Sequence, residues 1–229
     1  MGEIFSREQT PSSEELGTSE ISETPIKIVI VSDTHNDHRG INVPDGDLLI
    51  HAGDFTNYGK KEHIIDFNSW LGELPHKHKV VVNGNHENNA MWKSETRNLL
   101  SNATFLNQES YSLQRSDGTL VTIFGTEFSW PLLHGSHPNY SQIPEDTNIL
   151  ICHGPAKGQV DGGHGCPSLL RRCEDLRRNG RLKFVVSGHI HGAHGQCVGS
   201  GTVKGVKFVN ASICGNARKA EHEATVIYY

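Results

Sequence analysis

Five short apolar runs in this chain end in polar residues of the same few kinds. Residues 28–35 read IVIVSDTH, 48–54 LLIHAGD, 80–87 VVVNGNHE, 149–153 ILICH and 184–192 FVVSGHIHG. Short runs of aliphatic and β-branched residues bounded by glycine and polar residues read as buried strands. The interior of such a strand has no use for Asp, Asn or His, because a buried imidazole or carboxylate needs a partner. Just past the strand the same residues make sense, since ligands of open α/β sheets bind beyond the carboxyl ends of the strands. If the five strands are neighbours, Asp33, His35, Asp54, Asn85, His86, His153, His189 and His191 converge on one rim. Residues two apart in extended backbone point the same way, so Asp33 with His35, and His189 with His191, can each face one cavity.

Between the runs lie helical and hairpin patterns. Residues 60–74 (KKEHIIDFNSWLGEL) place Ile64, Ile65, Phe67, Trp70, Leu71 and Leu74 on a helical face, and 88–100 lead on to a second helix through Trp92, Leu99 and Leu100. Residues 167–178 (PSLLRRCEDLRR) form a third, with Pro167 in the first turn and Gly180 past the last. YSLQRSDGTLVTIFG is a hairpin turning at Asp117-Gly118, and VKGVKFVNAS and EATVIYY read as two more strands. Strands alternating with helices, and hairpins in the second half, predict an α/β fold around a central sheet layer.

Composition narrows the function. The net charge of −5 sits in residues 1–25, where six acids face one base; the body is balanced. A neutral body lacks the basic face of a nucleic-acid binder, so no long nucleic acid is expected as partner. The Ser-, Thr- and Glu-rich residues 1–25 are expected to form a disordered acidic tail, and 26–229 one domain. The tail opens MGEIFS, an N-myristoylation pattern with Gly2 as acceptor. One acyl chain binds membranes marginally and the acidic tail is repelled by anionic lipid, so no stable membrane association is expected. No stretch approaches the roughly 18 apolar residues of a membrane span, and no secretory leader is visible. Five cysteines without CxxC spacing suit a reducing, cytoplasmic setting. Composition leaves the oligomeric state open.

Imidazole, carboxylate and amide oxygen without thiolate describe a site for Mn, Fe, Zn, Ni or Co. Asp33, His35, Asp54, Asn85, His153, His189 and His191 are too many ligands for one ion with an open position. Two ions sharing a carboxylate fit better, and ions about 3.5–4 Å apart clamp both oxygens of an in-line displacement at phosphorus. Two divalent ions, two aspartates and a bridging hydroxide leave a charge of about +1, suited to a phosphodiester monoanion. Each motif alone has an ordinary reading: Asp-x-His a loop accident, GNHE a helix start capped by Asn85, GHIH a surface loop or a single-metal fragment. Their joint order, each at a strand end, carries the argument. Cys152 is expected in the core, and His38, His63, His76, His78 and His222 as ordinary core or surface residues. His51 stands open as a supporting residue. His164 and His194 either line the pocket or face water. Trp130, Pro131, His134, Asn210 and Ser212 either shape the pocket or merely pack.

The blocks DTH at 33–35, GD at 53–54, GNHE at 84–87, CHGP at 152–155 and GHIH at 188–191 together resemble the calcineurin-like metallophosphoesterase superfamily. LLIHAGDF, GNHE, HGP and FVNAS are similar to its small metallophosphoesterase-domain-containing subfamily. The resemblance spans about residues 26–215. It implies a four-layer α/β/β/α sandwich with two packed mixed β-sheets. It implies one metal held by Asp33, His35 and His191, a second by Asn85, His153 and His189, and Asp54 bridging them. Manganese is the first expectation among the possible ions. His86 resembles the family histidine that stabilises the transition state and protonates the leaving oxygen, with Glu87, standing where many members have Asp, beside it to orient the ring. Asn85, His86 and His194 would contact substrate, although Gly192 and His194 stand where the subfamily often has an acid and an aromatic. The implied activity is hydrolysis of small phosphodiesters, cyclic nucleotides foremost, by in-line attack of a metal-bridging hydroxide. The alternatives are a non-catalytic metal-binding scaffold of the same fold, or a phosphomonoesterase or nuclease.

Overall fold

The computed structural model describes residues 24–130, 136–215 and 219–229. The first sheet is built from β1 (Lys27–Val31), β2 (Leu48–His51), β3 (His78–Val81), β4 (Thr104–Phe105) and the last strand, β11 (Thr225–Tyr228), in the order β11-β1-β2-β3-β4. The second contains β5 (Glu109–Gln114), β6 (Leu120–Gly125), β7 (Ile149–Ile151), β8 (Phe184–Ser187), β9 (Gly195–Val198) and β10 (Lys207–Asn210), in the order β5-β6-β7-β8-β10-β9. Each sheet has a parallel interior. Antiparallel strands close it at the edges: β11 in the first, β5 and β9 in the second.

Alternation along the strands sorts the side chains into three cores, which makes the layers. Ile28 and Ile30 of β1, Leu48 and Ile50 of β2 and Val80 of β3 turn inward. There they meet Val121, Ile123, Ile149, Ile151, Val186 and Val209 of the other sheet. Val29, Val31, Leu49 and Val81 turn outward against helix α1 (Lys61–Glu73), through Ile64, Phe67, Trp70 and Leu71. On the far side α5 (Pro167–Arg178) buries Leu169, Cys173 and Leu176 against Phe124, Leu150, Val185 and Phe208. This is the expected α/β/β/α sandwich. Truncating any of these inner aliphatics to Ala would cost about 2–5 kcal/mol.

Several local expectations shift. The strand-end runs do not lie side by side in one sheet: β1, β2 and β3 belong to one, β7 and β8 to the other. They still share a rim because the two sheets pack with these carboxyl ends together. Ile65 is 54% exposed, since it sits about 100° around α1 from Ile64. Residues 88–100 do not form the expected second helix: α2 (Asn85–Asn88), a 3-10 turn and α3 (Thr96–Leu99) stand there instead, and a further short helix, α4, spans Pro138–Ser141. The predicted hairpin forms as β5 and β6. Gly2, most of the acidic tail, Pro131 and His134 lie outside the described residues. Among the described residues no helix is long and apolar enough to cross a membrane, and none of the five cysteines forms a disulfide.

Candidate metal centre

The loops after β1 and β2 carry the ladder past the strands. Asp33 N–H donates to the Gly53 carbonyl at 2.9 Å and His35 N–H to that of Asp54 at 3.1 Å. To point inward there, Asp33, His35, Asp54 and His189 adopt left-handed backbone, with φ of 54°, 42°, 53° and 67°. Non-glycine residues rarely adopt it, and such strain persists only where surrounding contacts over-determine it. The glycines leave no slack: a Cβ on Gly84 would lie 2.1 Å from Asp54 Oδ1, and one on Gly188 2.0 Å from Asp33 Oδ2.

The predicted donors come together. Asp33, His35 and His191 form one cluster and Asp54, His153 and His189 another, while Asp54 also groups with His35 and His86; within each group the donor atoms lie within 4.8 Å of one another. His35 Nε2 and His191 Nε2 are 3.1 Å apart, and His191 Nε2 is 3.3 Å from Asp33 Oδ1. His153 Nε2 lies 3.3 Å from Asp54 Oδ2 and 3.2 Å from Asn85 Oδ1.

A second tier fixes these donors. His153 Nδ1 donates to the Ala52 carbonyl (2.8 Å) and His191 Nδ1 to that of Gly215 (3.1 Å), which turns each Nε2 into the site. Asp33 accepts from His189 N–H and, at 2.9 Å, from the Ser212 hydroxyl. Asn210 accepts from Ser212 N–H and donates to the Val160 and Ile190 carbonyls, tying the GHIH loop down. Ser212 and Asn210 therefore support the centre instead of merely packing. Trp130 and Phe128 wall off His189, with ring centroids at 4.3 and 5.3 Å.

Electrostatics fit a cation site. Burial works to raise the Asp33 and Asp54 carboxyls, but the adjacent His153 charge holds both below the usual carboxylate range. Burial lowers His35 and His189 to about 4, so both rings are neutral at pH 7 with a lone pair to offer. Burial also works against His153, but Asp54 and Asp33 outweigh it and push that ring up to about 10. Two buried carboxylates thus retain a positive charge between them. A mixed nitrogen and oxygen donor set without thiolate, converging on shared points, fits a pair of divalent ions.

His86 sits at the edge of the centre, its Nε2 3.9 Å from Asp54 Oδ2 and its backbone N–H on Asp54 Oδ1 at 2.9 Å. The expectation that Glu87 orients this ring is not met. Glu87 is fully buried, and its carboxylate accepts from the N–H groups of Asp54, Thr56 and Gly84 and from the Thr56 hydroxyl. Its longer side chain reaches back under the loop. The ring is oriented by Tyr58, whose N–H donates to His86 Nδ1 at 3.1 Å. A backbone donor leaves no mark in the sequence, so Tyr58 was not legible there.

His194, expected at the substrate wall, donates from Nδ1 to the Ser212 carbonyl (2.9 Å) and stacks on His222 with centroids 4.3 Å apart. His164 is exposed. His51 is buried between Phe55 and Phe67 and bonds Thr34, a supporting place beneath the rim. His38 is likewise buried, paired with Asp66, and Cys152 lies in the core. A cavity of about 300 Å³ lined by Tyr58, Asn85, His86 and Asn89 opens beside the centre. Another, lined by Arg115, Lys183, Phe184 and Lys207, lies at the opposite strand ends, away from every donor cluster above.

Comparison with known proteins agrees with this geometry. The calcineurin-like phosphoesterase family model matches residues 26–193. A UPF0046 protein of Caenorhabditis elegans is 33% identical over 230 residues, covering 89% of this chain and 75% of the relative. Human metallophosphoesterase domain-containing protein 1 is 32% identical over 222 residues, covering 82% of this chain and 66% of the relative. The crystal structure of TT1561 of Thermus thermophilus shares the fold, with a TM-score of 0.51 at 12% identity over 90% of this chain and 99% of that one.

Proposed function

The chain belongs to the calcineurin-like phosphoesterase family, and from that premise we propose that it is a dinuclear metal-dependent phosphodiesterase acting on small phosphodiesters, cyclic nucleotides among them. The observation that carries this reading is the place of Asp54, whose carboxylate groups with His35 and His86 on one side and with His153 and His189 on the other. Asp33, His35 and His191 would hold one divalent ion, Asn85, His153 and His189 the other, with Asp54 shared. When bound, such a pair polarises phosphoryl oxygens and lowers the pKa of the attacking water. Manganese suits the mixed nitrogen and oxygen donors, as do iron, zinc, nickel and cobalt. Five cysteines, none in a disulfide, support work in a reducing compartment such as the cytoplasm.

The chain's own residues supply orientation and a proton donor. Because Tyr58 N–H occupies His86 Nδ1, the neutral ring carries its proton on Nε2, the atom facing the centre. His86 then donates a hydrogen bond to a phosphoryl or leaving oxygen as charge develops there. Complete proton transfer as a general acid would require a second proton at Nδ1, where a donor already points. His86 therefore acts mainly as a hydrogen-bond donor.

The test is hydrolysis of bis(p-nitrophenyl) phosphate by protein loaded with Mn²⁺, by chelator-stripped protein, and by Asp54→Asn. Activity should require the metal and fall at least about 100-fold in the variant, the scale of losing one electrostatic stabiliser. Full turnover by stripped protein or by Asp54→Asn would overturn the reading.

A further inference from the structure

Tyr58 is an unusual residue to find at the mouth of this centre. It is 75% exposed, yet its backbone is held at φ 60°, a conformation that a bulky residue adopts only when held there. Every neighbour of that backbone is pinned. Asn57 N–H donates to Asn36 Oδ1 (3.1 Å), Tyr58 N–H to His86 (3.1 Å), and Trp92 Nε1–H to the Gly59 carbonyl (2.6 Å). Gly59 lies so close to Ala90 that an added Cβ would come within 2.6 Å of it. The loop therefore presents a large ring to solvent on a rigid base, 5.7 Å from the His86 ring between centroids and tilted 47° to it.

Tyr58 and Asn89 are also shared by two cavities. One is the opening of about 300 Å³ at Asn85 and His86; the other, about 670 Å³, runs on past Lys60 and Met91 to Trp92. Met91, fully exposed, and Tyr58 are two of the large exposed hydrophobics of the described residues, and both line this second cavity. An exposed ring and an exposed thioether in one groove are a surface for an apolar, flat ligand. Lys61 is engaged by Glu95 at 2.6 Å, and Lys60, an exposed residue, lines the groove.

We propose that this groove is a subsite for the leaving group, and that Tyr58 is a stacking platform selecting phosphodiesters whose leaving alcohol carries a planar ring, such as a nucleobase or an aryl group. The inference rests on the phosphodiesterase reading for its direction: with His86 donating to the leaving oxygen, and with Tyr58 adjoining His86, the body of the leaving group extends over Tyr58. A second negative group on that alcohol would meet Lys60. Tyr58 thus has two separate parts: its N–H positions His86, and its ring sets specificity.

The two parts are separable by substitution, because Tyr58→Asn keeps the N–H and tolerates left-handed backbone while removing the ring. Tyr58→Phe keeps both. Dissociation constants of phenyl phosphate and methyl phosphate, equal in charge and different in the ring, are measured by calorimetry on Mn²⁺-loaded wild type and both variants. The wild type should prefer phenyl phosphate, the preference should fall roughly three- to tenfold in Tyr58→Asn, and Tyr58→Phe should restore it. No preference in the wild type, or a Tyr58→Asn ratio equal to that of the wild type, overturns the subsite. Turnover of bis(p-nitrophenyl) phosphate is measured alongside. A ring preference without turnover would keep the platform and discard the phosphodiesterase reading, while turnover without a preference would do the reverse.

Discussion

Replacing Glu87 with Gln separates a structural buttress from a catalytic partner. The carboxylate takes Asp54 N–H and Gly84 N–H on Oε2, both at 2.9 Å, and Thr56 N–H (2.8 Å) and Oγ1–H (2.7 Å) on Oε1. A glutamine keeps one accepting oxygen and turns an NH₂ toward two donors. Two bonds to a charged acceptor are lost, at about 1.5–3 kcal/mol each. Part of that is offset, because burial and the Asp54 charge already push the Glu87 carboxyl up to about 7, and the neutral amide escapes that burden. A net loss of about 2–4 kcal/mol remains, which in a domain of this size lowers Tm by about 5–15 °C. In the proposed centre Asp54 is the shared ligand, and freeing its N–H would loosen it, so metal affinity should fall about 10–100-fold. Scanning calorimetry of the metal-free protein and a Mn²⁺ titration read both quantities. Unchanged Tm and unchanged metal affinity with lost turnover would refute this reasoning and return Glu87 to a role at His86.

Four other outcomes follow from the same geometry. His153, at about 10 in the ligand-free protein, must lose its proton to bind a cation, so Mn²⁺ binding at pH 7–8 should release about one proton, read by calorimetry in buffers of different ionisation enthalpy. In the metal-free protein the stabilisation from that proton is full below about pH 6.5 and disappears as pH rises through about 10, so melts across that window should show it fading. Ser212→Ala removes the 2.9 Å bond to Asp33 and should weaken metal binding about 10–100-fold in the same titration, with the fold retained by circular dichroism. Gly84→Ala would place a Cβ 2.1 Å from Asp54 Oδ1 and 2.5 Å from the Asp54 backbone N, so the Asp54 loop must shift, and metal content after dialysis should drop well below that of wild type.

The donors were legible in the sequence because they stand at the ends of runs whose periodicity is unmistakable. IVIVSDTH and FVVSGHIHG announce both the strand and the place where it stops. Helix α5 was readable to its ends, with Pro167 at the start and Gly180 beyond. Less visible was the partition of five runs between two sheets, since alternation along a strand does not say which neighbour it pairs with. The stretch 88–100 reads as helix because Trp92, Leu99 and Leu100 are apolar at helical spacing, but tertiary packing of Trp92 against Gly59 and Phe55 takes over there. Glu87 and Tyr58 show a different limit. A side chain that turns back under its own loop, and a backbone N–H that fixes a histidine tautomer, depend on contacts between loops distant in sequence and leave no local signature.

Metal stoichiometry tests the central claim most directly. Purified protein is stripped, reloaded with Mn²⁺, dialysed and analysed for metal, with electron paramagnetic resonance reporting whether the ions are coupled. Shared ligation by Asp54 predicts about two equivalents with the signature of an exchange-coupled pair, reduced to uncoupled or single ions in Asp54→Asn. One equivalent at most, or two ions with no coupling in the wild type, would contradict it.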